Sequence, residues 1–160
     1  MEKIIEQSDT GNYRMFWEGY NNIGIGSVAL ATVMNEIKSL SISKALLVLP
    51  LIIHQPTLQL LANKRTSIKG SAALASNYPR LLTNFNQRYY STLPLTLNSI
   101  QLLISLNYVE FNNNLELKNL IYVDKEFGDR SIKISKAAPK IAELLQESEE
   151  ELYLNFRVKL

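Results

Sequence analysis

The residues that could carry out chemistry are few in this chain. The sequence has no cysteine and a single histidine, His54. Without cysteine there is no disulfide, no thiolate metal ligand and no thiol nucleophile. His54 has no aspartate or glutamate within eight residues on either side, whereas a catalytic imidazole needs an orienting partner and a metal site needs two or three ligands. We therefore interpret His54 as a helix-end residue that bonds a free main-chain carbonyl.

One glycine-containing segment matches a nucleotide-binding pattern by letter. Residues 24–29 read GIGSVA and fit G-x-G-x-x-A. No hydrophobic strand precedes them, and residues 44–47, about 20 positions later, include no acid that could hold a ribose. We interpret Gly24 and Gly26 as positions of close helix packing. No Walker lysine motif is present, and the sparse carboxylates before Glu110 do not suggest a metal-dependent nuclease. The prediction is a protein that is not an enzyme and binds no cofactor or metal itself.

Basic residues gather in the middle of the sequence, in a stretch without acids, while acids gather at residues 143–151. The net charge of +2 is too small to imply nucleic-acid binding by itself. The candidate contacts to a partner or to DNA are Lys64, Arg65, Lys69, Arg80 and Arg88.

The segment around Arg88 is rich in aromatic and amide side chains, NFNQRYY, and could contact nucleic acid by stacking and phosphate binding. The favoured alternative places Phe85 and Tyr89, four residues apart, in the core and pairs Arg88 with an acid.

The last ten residues alternate between apolar and polar side chains, apart from Tyr153, which predicts a β-strand over 151–160. Such a strand must pair with the chain's own hairpin or with another protein. The candidate pairing residues are Leu152, Leu154, Phe156, Val158 and Leu160.

The chain is long enough for one domain, 1–160, that buries roughly 70% of its unfolded surface. Helical spacing predicts an N-terminal docking segment (1–20), a helical body (21–106) and a C-terminal segment (132–160) whose helix, capped by Ser135, runs through Gln146 before the strand. Within the body, Asn21 and Asn22 cap a first helix, and Ser43 caps a second, very apolar one. Pro50 and Pro94 are expected to interrupt their helices, and Pro139 to lie in a first turn.

Two short alternating runs around three asparagines predict a β-hairpin at 107–123, with residues 120–123 lengthening its second strand. A helix followed by a hairpin is the outline of a winged helix. The predicted fold is therefore mainly α with a small β element: a winged-helix-like helical domain with a β-hairpin and a C-terminal strand.

The apolar run 45–53 is shorter than a membrane span, and residues 1–10 lack a signal-peptide core. We expect a cytoplasmic protein that does not enter a membrane.

Several segments together resemble a known family. They are YNNIGIGSVALATVMNEI, SISKALLVLPLIIHQPT, YPRLLTNFNQRYYSTLPLTLNSIQLLISLNYVEF and the final FRVKL. Over residues 21–160 these resemble the middle-component subunits of bacterial three-component ABC ATPase systems, a group that includes Lamassu-type anti-phage defence.

The resemblance implies a small adaptor that bridges an SMC/Rad50-like ABC ATPase and an effector, often a nuclease, and holds the effector inactive until the ATPase meets foreign DNA. ATP and Mg²⁺ would belong to the partner ATPase, and contact with DNA would be indirect. The alternative hypothesis is a winged-helix DNA-binding transcriptional regulator, which the helix–hairpin order and the basic stretch favour. Against it, the helix before the hairpin, residues 95–106, has no lysine or arginine to read a major groove.

Overall fold

The computed structural model describes the backbone of residues 9–160 and the side chains of residues 23–160. The described helices account for 67% of the chain and are joined by a small antiparallel sheet, which confirms the predicted fold class. The helices are α1 (Asp9–Ile37), α2 (Ile42–Ile53), α3 (Gln55–Ala62), α4 (Ser71–Asn77), α5 (Pro79–Leu82), α6 (Phe85–Ser105), α7 (Asp129–Leu144) and α8 (Glu149–Asn155). The strands are β1 (Ser39–Leu40), β2 (Val109–Asn112) and β3 (Asn114–Leu117), and a 3₁₀ turn covers Lys125–Phe127. The side chains predicted to dock the N-terminal segment, between Ile4 and Trp17, lie outside those described.

Helix α1 is longer than predicted and packs on α6 and α7 through its C-terminal half. The predicted helix start at Asn21 and Asn22 is wrong, because α1 continues through both residues. Asparagine disfavours a helix interior by less than about 1 kcal/mol, which is too little to break a helix whose following turns are buried. From residue 29 to 34 every side chain of α1 is buried.

Helix α2 forms the centre of the core, as predicted from its apolar sequence. Its N-cap is Ser41, whose hydroxyl accepts a hydrogen bond from the Lys44 amide at 3.3 Å, so the predicted cap at Ser43 is wrong. The expected interruption at Pro50 is wrong, because the helix passes through this buried residue and ends at Ile53, where it bends by 99° into α3. Pro56 lies in the first turn of α3, as expected of a residue without an amide hydrogen.

Two prolines that were expected to interrupt or start helices lie inside them instead. Pro94 is within α6 and Pro139 is within α7. Both rings are exposed. Proline has no amide hydrogen, so the carbonyl four residues before it loses its hydrogen-bond partner within the helix. That carbonyl lies on the same side of the helix as the exposed ring, where water can bind it. The opposite side of each helix remains packed in the core, so the helix continues.

The sheet has the order β1–β3–β2, with all pairs antiparallel. The predicted hairpin is confirmed, and its turn residue Asn113 has φ +65°, a conformation that asparagine tolerates well. Strand β1 was not predicted, because two residues are too few to show alternation. The succession α1–β1–α2 and then α6–β2–β3 is consistent with a winged helix, with α3 to α5 inserted before α6.

The segment after β3 was predicted to extend the strand and does not. Residues 118–124 are irregular and dock on α1 through one side chain, that of Asn35. Its amide nitrogen donates to the Ile121 carbonyl at 2.7 Å, and its oxygen accepts from the Ile121 amide at 3.2 Å. The Asn35 side chain therefore satisfies the main-chain groups that a neighbouring strand would otherwise bind.

The C-terminal strand prediction is wrong, because this segment forms helix α8. Ser148 caps the helix and forms a capping box with Glu151, and three acids occupy the first turn. Leu152 and Phe156, which are four residues apart, are fully buried. In a strand, two residues four positions apart lie on the same face, and in a helix they lie on the same side, so the spacing of Leu152 and Phe156 fits both structures. The capping box favours the helix.

Candidate interaction surfaces

The only histidine, His54, joins two helices rather than forming a catalytic pair. It lies at the bend between α2 and α3, and its Nδ1 is 2.8 Å from the hydroxyl oxygen of Thr57. Its partner is thus a hydroxyl and not the main-chain carbonyl that the sequence suggested. Burial, followed by the positive charge of Arg88, lowers the pKa of His54 below its ordinary 6.5. The imidazole is therefore neutral at physiological pH.

The glycine pair of α1 serves packing at one of its two positions. A Cβ placed on Gly26 would lie 2.5 Å from the hydroxyl oxygen of Ser99 on α6, whereas a Cβ on Gly24 would meet nothing within 4 Å. The hydroxyls of Ser27 and Ser99 are buried and have no hydrogen-bond partner among the described residues. The close approach of α1 and α6 at this point therefore depends on Gly26.

Arg88 binds main-chain carbonyls, not an acid. It donates from Nε to the Pro50 carbonyl at 3.2 Å and from Nη2 to the Leu81 carbonyl at 2.7 Å, and its guanidinium lies 5.5 Å from the centre of the Phe85 ring. The predicted pairing with an acid is wrong, while the predicted burial of Phe85 and Tyr89 is confirmed. With Nε and Nη2 bound inside the fold and the side chain half-buried, Arg88 is poorly placed to contact a partner or DNA.

The other predicted cations are exposed, and the fold places most of them beside cations that the sequence analysis did not single out. The loop after α3 begins at Asn63, whose carbonyl accepts from Lys140 of α7, and ends at Gly70, next to the Glu147 carboxylate. It therefore runs from beside Lys140 to just past the C-terminal end of α7. We call the resulting cluster the basic surface: Lys64, Arg65, Lys69, Lys133, Lys136 and Lys140. Arg80 lies apart from it on α5, which packs against α4 and α6.

A second surface is apolar and lies on α6. Tyr90, Leu97 and Ile104 are 46%, 47% and 40% exposed and are spaced seven residues apart, so they lie on one side of the helix. Leu93 is partly buried between them. We call these four residues the α6 flank. No charged residue occurs on α6 after Arg88.

The predicted strand-pairing residues divide between the core and the surface. Leu152 and Phe156 are fully buried, and the Phe156 ring packs against Phe85 with centroids 4.9 Å apart. Leu154 and Leu160 are 77% and 92% exposed, and Val158 is partly buried. Because these five residues do not share one face, the structure does not assemble the proposed pairing edge.

Tyr153 connects α8 to two other helices. Its hydroxyl donates to the Ser43 carbonyl at 2.7 Å and lies 3.1 Å from the hydroxyl of Tyr89. Burial and the hydrogen bond with Tyr89 raise the pKa of Tyr153 above the ordinary range of tyrosine. The phenol therefore stays protonated and serves as a structural link between α2, α6 and α8.

A comparison with protein families identifies the group to which the chain belongs. A sequence model of the ABC-three component (ABC-3C) system middle component 3 matches residues 22–160. The chain belongs to this family. No curated protein and no solved structure matches it significantly. The match to the middle component begins within α1 and covers the basic surface, the α6 flank and α8, so all three lie in the part of the chain that defines the family.

As a middle component, the chain belongs to a system with further components. Within the described part of this middle component, no three histidine, aspartate or glutamate side chains are close enough to hold a metal ion. No single described helix is long and apolar enough to cross a membrane; α2 and α3 reach that length only as a pair with a 99° bend.

Proposed function

We propose that this middle component is a non-catalytic adaptor in the cytoplasm that bridges an SMC/Rad50-like ABC ATPase and an effector, often a nuclease, in a Lamassu-type anti-phage defence complex. It controls when the effector becomes active. ATP and Mg²⁺ bind to the ATPase subunit. Family membership supports a place within such a system. The α6 flank is the structural observation that carries the proposal.

The α6 flank is suited to binding a helix of another component. Its exposed residues repeat every seven positions, with Leu93 and the buried Ile100 between them, which is the spacing of a helix–helix seam. Burying the remaining apolar surface of one such half-exposed side chain contributes roughly 1 kcal/mol. A partner helix with a matching apolar stripe would cover the flank and gain several such contributions.

Co-purification tests the adaptor role. The tagged chain is co-expressed with the two other components encoded beside it, and the wild-type chain is expected to retain both. The double variant Leu97→Glu/Ile104→Glu places two charges on the α6 flank and is expected to lose at least one of them. The matched control, Asn98→Glu/Ser105→Glu, adds the same charges one residue further along the same helix, at exposed polar positions. The proposal fails if wild-type chain retains neither component, or if both double variants behave alike.

A transcriptional regulator remains the second candidate because the element order and the strand order β1–β3–β2 are consistent with a winged helix. In such a protein the helix before the hairpin, here α6, would read the major groove. The exposed side of α6 carries apolar and uncharged polar side chains but no lysine or arginine after Arg88, which disfavours this role. A gel-shift selection from random duplexes distinguishes the two: a regulator enriches one sequence, and the adaptor enriches none.

A further inference from the structure

We propose that the basic surface binds the phosphate backbone of duplex DNA directly and without sequence preference, so that the middle component itself contacts DNA. This contact is separate from the α6 flank and does not depend on which component the flank binds. The observation that carries it is the convergence of two sequence-distant groups of cations, from the loop 63–70 and from α7, on one side of the fold.

The three lysines of α7 share one side of the helix. Lys133, Lys136 and Lys140 are spaced three and four residues apart, and they span about 10 Å along the helix axis. Lys133 and Lys136 line a shallow recess together with Gln59 of α3 and Asn63 of the following loop, and Ala62 and Ile132 complete its lining beside Asp129. Amide side chains of this kind commonly bind phosphate oxygens alongside lysine.

The cations of the basic surface form no ion pair with a described residue, although Lys140 donates to the Asn63 carbonyl. Among residues 23–160 the one ion pair joins Lys118 to Glu110 at 3.1 Å, so no member of the basic surface is ion-paired with a described residue. Three acids lie nearby. Glu147 is bound to the amide and hydroxyl of Ser71, while Asp129 lines the recess and Glu143 is exposed on α7. Six cations and three acids leave a local charge of +3.

Among the described residues, the lack of large exposed apolar side chains on this surface favours DNA over an acidic protein face. None of the large exposed hydrophobic residues of the described part lies in α3, the loop 63–70 or α7. Protein interfaces have an apolar, often aromatic, centre, whereas DNA interfaces are polar and strongly positive. The α6 flank is apolar, as a protein interface is, whereas the basic surface is polar and positive, as a DNA interface is.

Fluorescence anisotropy with a short labelled duplex and the purified full-length chain tests the proposal. Binding to duplexes of unrelated sequence is expected at micromolar to roughly 100 µM dissociation constants, weakening as salt rises. Lys133→Gln/Lys136→Gln is expected to weaken binding at least about tenfold at low salt and to lower the slope of log K against log salt by about 2. Both lysines lie outside the core, so an unchanged melting temperature will verify folding.

The control variant Lys118→Gln/Lys159→Gln removes the same charge from the hairpin and the C-terminal tail, and it is expected to bind as the wild type does. Asp129→Asn removes an acid from the recess and is expected to tighten binding, a gain that damage to the fold would not produce. The proposal is overturned if the wild type does not bind at low salt, or if the control variant loses as much affinity as the α7 variant. If a labelled polyglutamate peptide binds as tightly as DNA and competes with DNA for the same lysines, the surface is instead assigned to an acidic protein partner.

Discussion

The guanidinium of Arg88 lies across the last turn of α2 and donates a hydrogen bond from Nε to the Pro50 carbonyl at 3.2 Å. The last four carbonyls of a helix have no partner within the helix, so a side chain that binds one of them stabilises its end. The second donor of Arg88 binds the Leu81 carbonyl of α5. One side chain of α6 thus joins the ends of two other helices.

Removing this link should destabilise the fold. Replacing Arg88 with methionine keeps most of the side-chain volume but leaves two carbonyls unpaired, so the free energy of unfolding is expected to fall by about 2–4 kcal/mol. Urea denaturation measures the change. Arg80→Met is the control, because Arg80 is exposed, and it should change stability by less than about 0.5 kcal/mol. Similar values for the two variants would mean that the carbonyl bonds of Arg88 contribute little.

The two glycines of α1 are expected to respond to alanine in opposite directions. Gly24→Ala introduces a side chain into open space and should raise stability by about 0.5–1 kcal/mol, since alanine favours a helix. Gly26→Ala brings a methyl group against Ser99 and should lower stability by about 1–2 kcal/mol. Thermal unfolding measures both.

The double variant Gly26→Ala/Ser99→Ala tests whether the clash is the cause. Ser99→Ala removes a buried hydroxyl without a described partner, so this change should be close to neutral by itself. Combined with Gly26→Ala it should restore most of the lost stability. If the stability changes of the two single variants simply add in the double variant, the Ser99 oxygen is not the reason why Gly26→Ala is destabilising.

The division of the C-terminal residues between core and surface predicts unequal effects of truncation. Phe156→Ala should lower the free energy of unfolding by about 3–5 kcal/mol, because the ring is fully buried against Phe85. Leu154→Ala should change it by less than about 0.5 kcal/mol, because that side chain is 77% exposed. In a paired strand both residues would point to the same face, so equal losses would contradict helix α8.

His54 should make the stability depend on pH near neutrality. Its folded pKa is lowered by burial and by Arg88, so between this value and 6.5 the unfolded chain binds the proton more tightly. The free energy of unfolding is therefore highest above pH 6.5 and decreases as the pH falls through 6.5 towards the folded pKa. Urea titrations at several pH values measure this slope. His54→Gln should flatten it in this range, whereas Gln55→Ala, which alters a neighbouring group that does not titrate, should preserve it.

The sequence predicted those elements whose local pattern has one interpretation. The hairpin predicted at 107–123 combines two alternating runs with an asparagine at the turn, and the run 45–53 is apolar on every side. Both elements are confirmed: the hairpin forms over 109–117, and the apolar helix is buried except at its end, where Ile53 is 43% exposed. The last segment has two patterns at once: alternating apolar residues, and a serine followed three positions later by glutamate before Leu152. The second is a capping box, which is typical of the helix that the structure shows, but the prediction followed the alternation instead.

The surfaces were harder to predict than the elements. The spacing of Lys133, Lys136 and Lys140 was visible in the sequence, but it places them only on one side of α7. Their position beside Lys64 and Arg65 depends on how α3 and the following loop lie against α7, a tertiary relationship between segments about 70 residues apart. Arg88 shows the converse. Its place in a basic stretch suggested an exposed contact, while the ends of α2 and α5 take up its donors.

The partners of α1 have a consequence for the order of events during synthesis. Its C-terminal half is buried mainly against α6 and α7, and Asn35 binds Ile121, which is 86 residues later in the chain. On a ribosome, the apolar side of this first helix emerges long before the helices that cover it. Such distant contacts slow folding and leave apolar surface open in the meantime. We therefore expect the nascent chain to rely on chaperones until α7 has left the exit tunnel.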